Sequence, residues 1–103
     1  MIEEINKIIG YFKKIGITLL SCEKYKQHIL EFIGTKASFM SLIKQNDFYD
    51  ATILYYLEKT HMSSNYYTHN IFDVNLVNLC KKIDDFLLEN DDNYRKLRNL
   101  NKL

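Results

Sequence analysis

The sequence predicts an all-α protein, a single-domain antiparallel bundle of four main helices plus a short C-terminal helix. Three observations lead to this fold class. Apolar residues recur at alternating steps of three and four from Cys22 to Ile43, interrupted only at Lys36, the chain has no proline, and no Asn-Gly or Asp-Gly pair occurs. The first is the spacing of an amphipathic helix. The other two remove the strongest helix breaker and the strongest hairpin signal.

The first predicted helix runs from about Ile2 to Ile15 and ends at Gly16. Glutamates stand at its start and lysines at its end, which suits the helix dipole. The second helix begins after Ser21, a favourable N-cap residue, and continues to about Gln45. Gly34 lies inside this segment and costs about 1 kcal/mol relative to alanine. Whether the helix is continuous through Gly34 is left open.

Asn46 and Asp47 predict a turn between two apolar segments. A third helix is expected over residues 48–60, a polar loop over 61–70, a fourth helix over 72–89 and a short terminal helix from Tyr94 to Leu100. The apolar faces of these helices predict a buried core. Its expected members include Ile29, Phe32, Leu54, Ile83 and Leu87.

The length of 103 residues is that of one domain, residues 1–103, with enough chain to close a hydrophobic core. Hydrophobic residues make up 47% and charged residues 26%, which is typical of folded proteins. The net charge is only +1. Proteins that depend on phosphate contacts usually carry a larger basic excess.

The cysteines predict no particular chemistry. Cys22 and Cys80 both fall at apolar positions of the predicted helices and are expected to be buried thiols. The alternative, in an oxidising compartment, is a disulfide between them. Leu19 to Cys22 resembles a bacterial lipobox, but the apolar stretch before it is too short for a secretory signal. No segment has the length of a membrane span. We therefore expect a cytoplasmic protein without a membrane anchor.

Catalytic and metal-binding signatures are missing from the sequence. The histidines and cysteines lack the close ligand pairs of a structural zinc site, and three glycines are too few and too scattered for a phosphate-binding loop. Small helical ribonucleases place a histidine shortly after an arginine, and no histidine follows Arg95 or Arg98. We expect a protein that is not an enzyme and needs no metal or cofactor.

Protein binding is the first functional prediction. Tyrosines 49, 55, 56, 66 and 67 exceed what a small core easily buries, and tyrosine is enriched at interface hot spots. The predicted protein-binding residues surround the expected loop: Tyr55, Tyr56, Met62, Tyr66, Tyr67 and His69.

The alternative is binding of RNA or DNA through a basic C-terminal segment. Its candidate residues are Arg95, Lys96, Arg98 and Lys102. Carboxylates precede this segment and would weaken its positive field. The two helices around Asn46 and Asp47 also suggest a helix-turn-helix, but the second is poor in basic residues.

These features favour a helical protein-binding module without catalytic activity. Stoichiometric inhibitors, immunity proteins, antitoxins and small subunits of complexes share this size, near-neutral charge and absence of catalytic motifs. The richness in Ile, Lys, Asn and Tyr is typical of AT-rich genomes, as in low-GC bacteria, their phages and some large DNA viruses. The identity of the partner and the oligomeric state, including a homo-oligomer, stay open.

Overall fold

The structure is an α+β fold, so the predicted all-α helical bundle is wrong. The computed structural model describes the backbone of residues 2–24, 27–59 and 64–100, and the side chains of residues 2–22, 28–55 and 68–100. Within these ranges the chain forms three helices and a five-stranded antiparallel sheet. The elements in chain order are α1 (Ile2–Lys14), β1 (Leu19–Lys24), β2 (Gln27–Phe32), β3 (Ala37–Gln45), β4 (Phe48–Lys59), β5 (Ser64–Asp73), α2 (Leu76–Asn90) and α3 (Asp92–Leu100).

The sheet is a meander in which each strand pairs with its neighbour in sequence, in the order β1-β2-β3-β4-β5. Its central hairpin pairs Gln45 with Phe48, so that Asn46 and Asp47 form the turn. Asn46 has a φ of 51°, a left-handed conformation that asparagine tolerates better than most residues. The predicted turn is confirmed, but it joins two strands and not two helices.

Helices pack on one face of this sheet, which we call the inner face. Alternate strand residues point toward them and are buried, including Leu30, Met40, Leu42 and Ile53. The helices contribute the other half of the core: Ile5, Ile8 and Phe12 from α1, Leu79, Cys80, Ile83 and Leu87 from α2, and Tyr94 from α3. This burial is the main force that holds the helices to the sheet.

In place of the helices predicted over 21–45 and 48–60 the structure has the strands β1 to β4, and β5 begins at Ser64 within the loop predicted over 61–70. The apolar spacing from Cys22 to Ile43 wrongly predicted a helix because these strands carry apolar side chains on both faces. Phe32 and Met40 are buried in the inner face, whereas Ile29 and Phe39 alternate with them on the opposite face. Two interleaved sets with a period of two resembled one helical face.

Several finer predictions are corrected with the fold. Ser21 lies within β1 and caps no helix, and Gly34 lies in the turn between β2 and β3 with a φ of 79°. The prediction of the core residues is confirmed for only three of the five. Phe32, Ile83 and Leu87 are buried, whereas Ile29 and Leu54 are only half-buried.

The predictions for the two ends of the chain are confirmed. α1 lies where the first helix was expected, and α2 matches the fourth helix apart from its later start at Leu76. The side chain of Asn75 caps α2 by accepting hydrogen bonds from the backbone N–H groups of Val77 and Asn78. Each of these helices has a polar face toward solvent, so the helical period is visible in the sequence.

Candidate protein-docking surface

The candidate site is the face of the sheet opposite the helices, which we call the outer face. Its central row crosses all five strands and consists of Cys22, Ile29, Ser41, Thr52 and Asn70. A second row lies beside it and consists of Leu20, Glu31, Phe39, Leu54 and Thr68. On the other side lie Ile43, Asp50 and Phe72, followed by Phe48 at the hairpin end. Apolar and small uncharged polar residues therefore dominate the surface.

Large apolar side chains on the outer face remain open to solvent. Leu20, Ile43, Phe48 and Phe72 are between 47% and 56% exposed. Their strand neighbours at the next positions, such as Leu19 and Ile71, point to the helices and are buried. No helix among the described residues covers this face, because all three contribute their apolar side chains to the inner core. The sheet thus has one packed side and one open side.

The charge of the outer face is acidic. Glu31 and Asp50 are its only charged residues among the described side chains. Asp50 stands between Ile43 and Phe72 in its cross-strand row, and its Oδ1 atom is buried without a hydrogen bond from any described group. A nearby polar contact joins the Thr52 hydroxyl to Asn70 Oδ1 at 2.8 Å. Among the described side chains, this surface therefore offers carboxylates and no cation.

The predicted tyrosine-rich site is distributed over the β4–β5 pair. Tyr55 is in register with Tyr67, and Tyr56 with Tyr66. Tyr55 is only 3% exposed, belongs to the inner core, and donates a hydrogen bond from its hydroxyl to the Asn90 carbonyl. Met62 lies outside the described residues, and the side chains of Tyr56, Tyr66 and Tyr67 lie outside the described side chains.

His69, the last residue of the predicted protein-binding set, lies on the inner side of β5. Its ring stacks on Phe86 of α2, with the centroids 3.8 Å apart and the ring planes within 3°. His69 lies opposite Ile53 of β4 and is half-buried. The imidazole therefore contributes to the packing of α2 on the sheet.

The predicted basic segment lies on α3, where two of its cations are bound by the protein itself. Arg95 donates to the carbonyls of Leu88 and Glu89 at 2.7 and 3.2 Å, and it pairs with Asp92. Lys96 is exposed, and Lys102 lies outside the described residues. The segment offers phosphate fewer free cations than its sequence suggests.

Arg98 takes part in a buried cluster between α2 and α3. Its Nε and one terminal nitrogen bond to the two carboxylate oxygens of Asp84 at 2.8 and 3.1 Å. Tyr94 donates its hydroxyl to the same Asp84 at 2.6 Å. Burial, followed by the hydrogen bond to Asp84, raises the pKa of Tyr94 far above its ordinary value. The Asp84 carboxylate likewise raises the pKa of Arg98.

A separate cleft of about 430 Å³ lies between α1, the start of β4 and the start of α2. Glu3, Lys7, Tyr11, Tyr49 and Cys80 are among its lining residues. Both described thiols are free: Cys80 is buried, as expected, and Cys22 is half-buried on the outer face. Across the described ranges, no three His, Cys, Asp or Glu residues are grouped as metal ligands would be.

Among the residues that the structure describes, no helix is both long and apolar enough to cross a membrane.

Sequence reasoning missed the outer face, although its signal was present. On either side of the Asn46–Asp47 turn, apolar residues occur at both odd and even positions, as expected for a hairpin with two apolar faces. Comparisons with protein families, curated proteins and solved structures found no match to this chain.

Proposed function

We propose that this chain is a non-enzymatic protein-binding module that docks a partner protein on its outer face. The role is that of a stoichiometric inhibitor, an immunity or antitoxin-like protein, or a small subunit of a complex. The observation that carries the proposal is the set of half-exposed apolar residues on a sheet face that the described helices leave open. Several large apolar side chains exposed on one sheet face are typical of a surface that binds another protein.

The charge of the outer face indicates the chemistry of the partner. A complementary surface presents apolar side chains together with lysine or arginine opposite Glu31 and Asp50. Burying these carboxylates without a cation would be costly. Two copies of this chain stacked face to face would bring four carboxylates together, and no described side chain of either outer face supplies a cation. A different protein with basic residues therefore fits the surface better than a second copy.

The dimensions of the sheet suit a protein interface. Five strands spaced about 4.8 Å apart cover a width of about 24 Å, and strands of 6 to 12 residues at a rise of about 3.3 Å per residue are about 20 to 40 Å long. A face of about 24 Å by about 30 Å is comparable to the about 800 Å² that each partner contributes to an interface of standard size. Nucleic acid is disfavoured because the two carboxylates repel phosphate. Tyr56 and Tyr66 are in register with each other and follow Leu54 and Thr68 of the outer face at a spacing of two residues, so they stay a predicted extension of this surface.

Site-specific photocrosslinking in the native host tests the location of the surface. p-Benzoylphenylalanine replaces Phe72 on the outer face or, as a control, Val77 on α2. These two side chains are 56% and 54% exposed, so the positions are matched in accessibility. We expect a discrete protein adduct from position 72 and none from position 77. An RNA or DNA adduct from a third probe at Lys96 would instead favour the nucleic-acid alternative.

Titration calorimetry with the purified crosslinked partner then tests the energetics. Phe72→Lys and Ile43→Lys should each weaken binding by a factor of about ten or more, because each puts a cation into an apolar interface and against the basic residues proposed for the partner. Val77→Lys is the matched control and should bind as the wild type does. Equal losses from all three variants, or unchanged binding by Phe72→Lys and Ile43→Lys, would rule out the outer face.

A further inference from the structure

The open edge of β5 is a second surface, distinct from the outer face. β5 (Ser64–Asp73) is the last strand of the sheet and pairs with β4 along one side only. No described strand pairs with its other side. Such an edge presents backbone N–H and C=O groups to any strand that can reach it.

This edge lacks the features that normally prevent strand pairing. From Ser64 to Phe72 the sequence contains no Lys, Arg, Asp, Glu or Pro. Natural edge strands are usually short, charged, bulged or interrupted by proline. β1, at the opposite edge, follows this rule, because it has only six residues and ends in Glu23 and Lys24. β5 has ten residues and contains no charged residue or proline of its own before Asp73.

Contacts at the end of β5 identify which backbone groups face the open side. Lys82 donates from its Nζ to the Phe72 carbonyl at 3.1 Å and forms an ion pair with Asp73 at 2.8 Å. That carbonyl therefore points away from β4. Backbone groups alternate in an antiparallel strand, so the N–H and C=O of Asn70, Thr68 and Tyr66 lie along the same open side.

We propose that two copies of this chain pair through β5, antiparallel, about a two-fold axis at Thr68. Thr68 then lies opposite Thr68 of the second copy, and Tyr66 lies opposite Asn70 in both directions. The three residues on each chain exchange six backbone hydrogen bonds. Because the axis is perpendicular to the sheet, both helical layers stay on one side of a continuous ten-stranded sheet, a size that occurs in natural proteins.

A second copy fits this edge for two reasons. The register places no like charges opposite each other between Tyr66 and Asn70, and threonine opposite threonine is a favourable cross-strand pair. Self-pairing also covers two unprotected edges at once, whereas a foreign strand would leave its own far side open. This inference does not rest on the proposed function, since the outer faces stay free in the dimer.

Sedimentation velocity over a wide range of concentration tests the proposal with the full chain. The wild type should shift from one chain to two as concentration rises. Thr68→Pro removes a donor at an edge position where proline is tolerated, and should stay monomeric. Thr68→Lys provides a second variant if proline prevents folding, because it puts like charges at the two-fold axis. Circular dichroism melts check that each variant is folded.

Ile43→Lys is the control, because it alters the outer face and leaves β5 unchanged. We expect it to form dimers as the wild type does. A monomeric wild type at every concentration would overturn the proposal, as would a dimer that persists in Thr68→Lys. Loss of the dimer in Ile43→Lys alone would indicate pairing through the outer face and would also overturn it.

Discussion

Asp91 shows how much one residue contributes to this fold. Its side chain is completely buried. Oδ2 accepts hydrogen bonds from the backbone N–H groups of Lys36 and Ala37 at 2.8 and 3.0 Å, and Oδ1 accepts one from Tyr94 at 3.0 Å. The carboxylate thus caps α3 and fixes the start of β3 to the junction between α2 and α3.

Replacing Asp91 by alanine should lower the free energy of unfolding by about 2–4 kcal/mol, because three backbone donors lose their acceptor. Asp91→Asn should cost less, since the amide oxygen still accepts. Urea denaturation measures both. Asp85→Ala is the matched control on the exposed face of α2 and should change stability by no more than about 0.5 kcal/mol. An effect of Asp91→Ala as small as the control would contradict this role.

The role of Asp91 could not be predicted from the sequence. It stands among Asp84, Asp85, Glu89 and Asp92, and such a cluster is typical of a solvated helix surface. Its Oδ2 atom accepts hydrogen bonds from the backbone N–H groups of Lys36 and Ala37, which are more than fifty positions away. Only the folded chain brings the β2–β3 turn to this carboxylate.

At the scale of elements, the sequence predicts helices better than strands in this chain. α1 and α2 each bury one face and expose the other, so the helical period of 3.6 residues can be recognised in the sequence. β2, β3 and β4 carry apolar residues on both faces, and alternation of polar and apolar residues is lost. The outer face is therefore both the reason the strands were missed and the best candidate site.

α3 combines a structural cation with an exposed one. Arg98 neutralises the buried carboxylate of Asp84, whereas Lys96 is exposed. Arg98→Gln should therefore lower the free energy of unfolding by about 1–3 kcal/mol, since Asp84 stays buried and loses its cation. Lys96→Gln should be nearly neutral. Thermal denaturation compares the two, and equal melting temperatures would show that the Asp84 pair contributes nothing to stability.

The same comparison separates the functional alternatives at this helix. Nucleic-acid binding through α3 would require Lys96→Gln to weaken binding in a salt-dependent way without loss of stability. Loss of function in Arg98→Gln alone would reflect the loosened α2–α3 junction.

For the molecule as a whole, the helical layer contains groups that resist ionisation. Burial raises the pKa of Cys80 from 9.0 to about 12. Burial also raises the pKa of Tyr11, with the Asp84 carboxylate adding to the shift. The pKa of Tyr94 is raised by burial and by its hydrogen bond to Asp84. In the unfolded chain these groups ionise at their ordinary values, so the folded state binds more protons at alkaline pH.

The sign of this linkage predicts loss of stability at high pH. The contribution of Cys80 is fully present below about pH 9 and is lost as the pH rises toward 12, by about 1.4 kcal/mol per pH unit. Urea denaturation between pH 7 and 11 should show this decline, and Cys80→Ala should reduce its slope. Identical slopes for the wild type and Cys80→Ala would contradict the assignment.

The meander order has a consequence for how the chain reaches this structure. Every strand pair joins neighbours in sequence, so the sheet can form from hairpins with short loops. The contact between α1 and α2 is different, because it closes a loop that contains all five strands. Contacts of high sequence separation are the slow ones in small domains. We therefore expect the helical layer to close after the sheet is largely formed, which would leave the apolar side chains on both sheet faces exposed to water and to other chains until then.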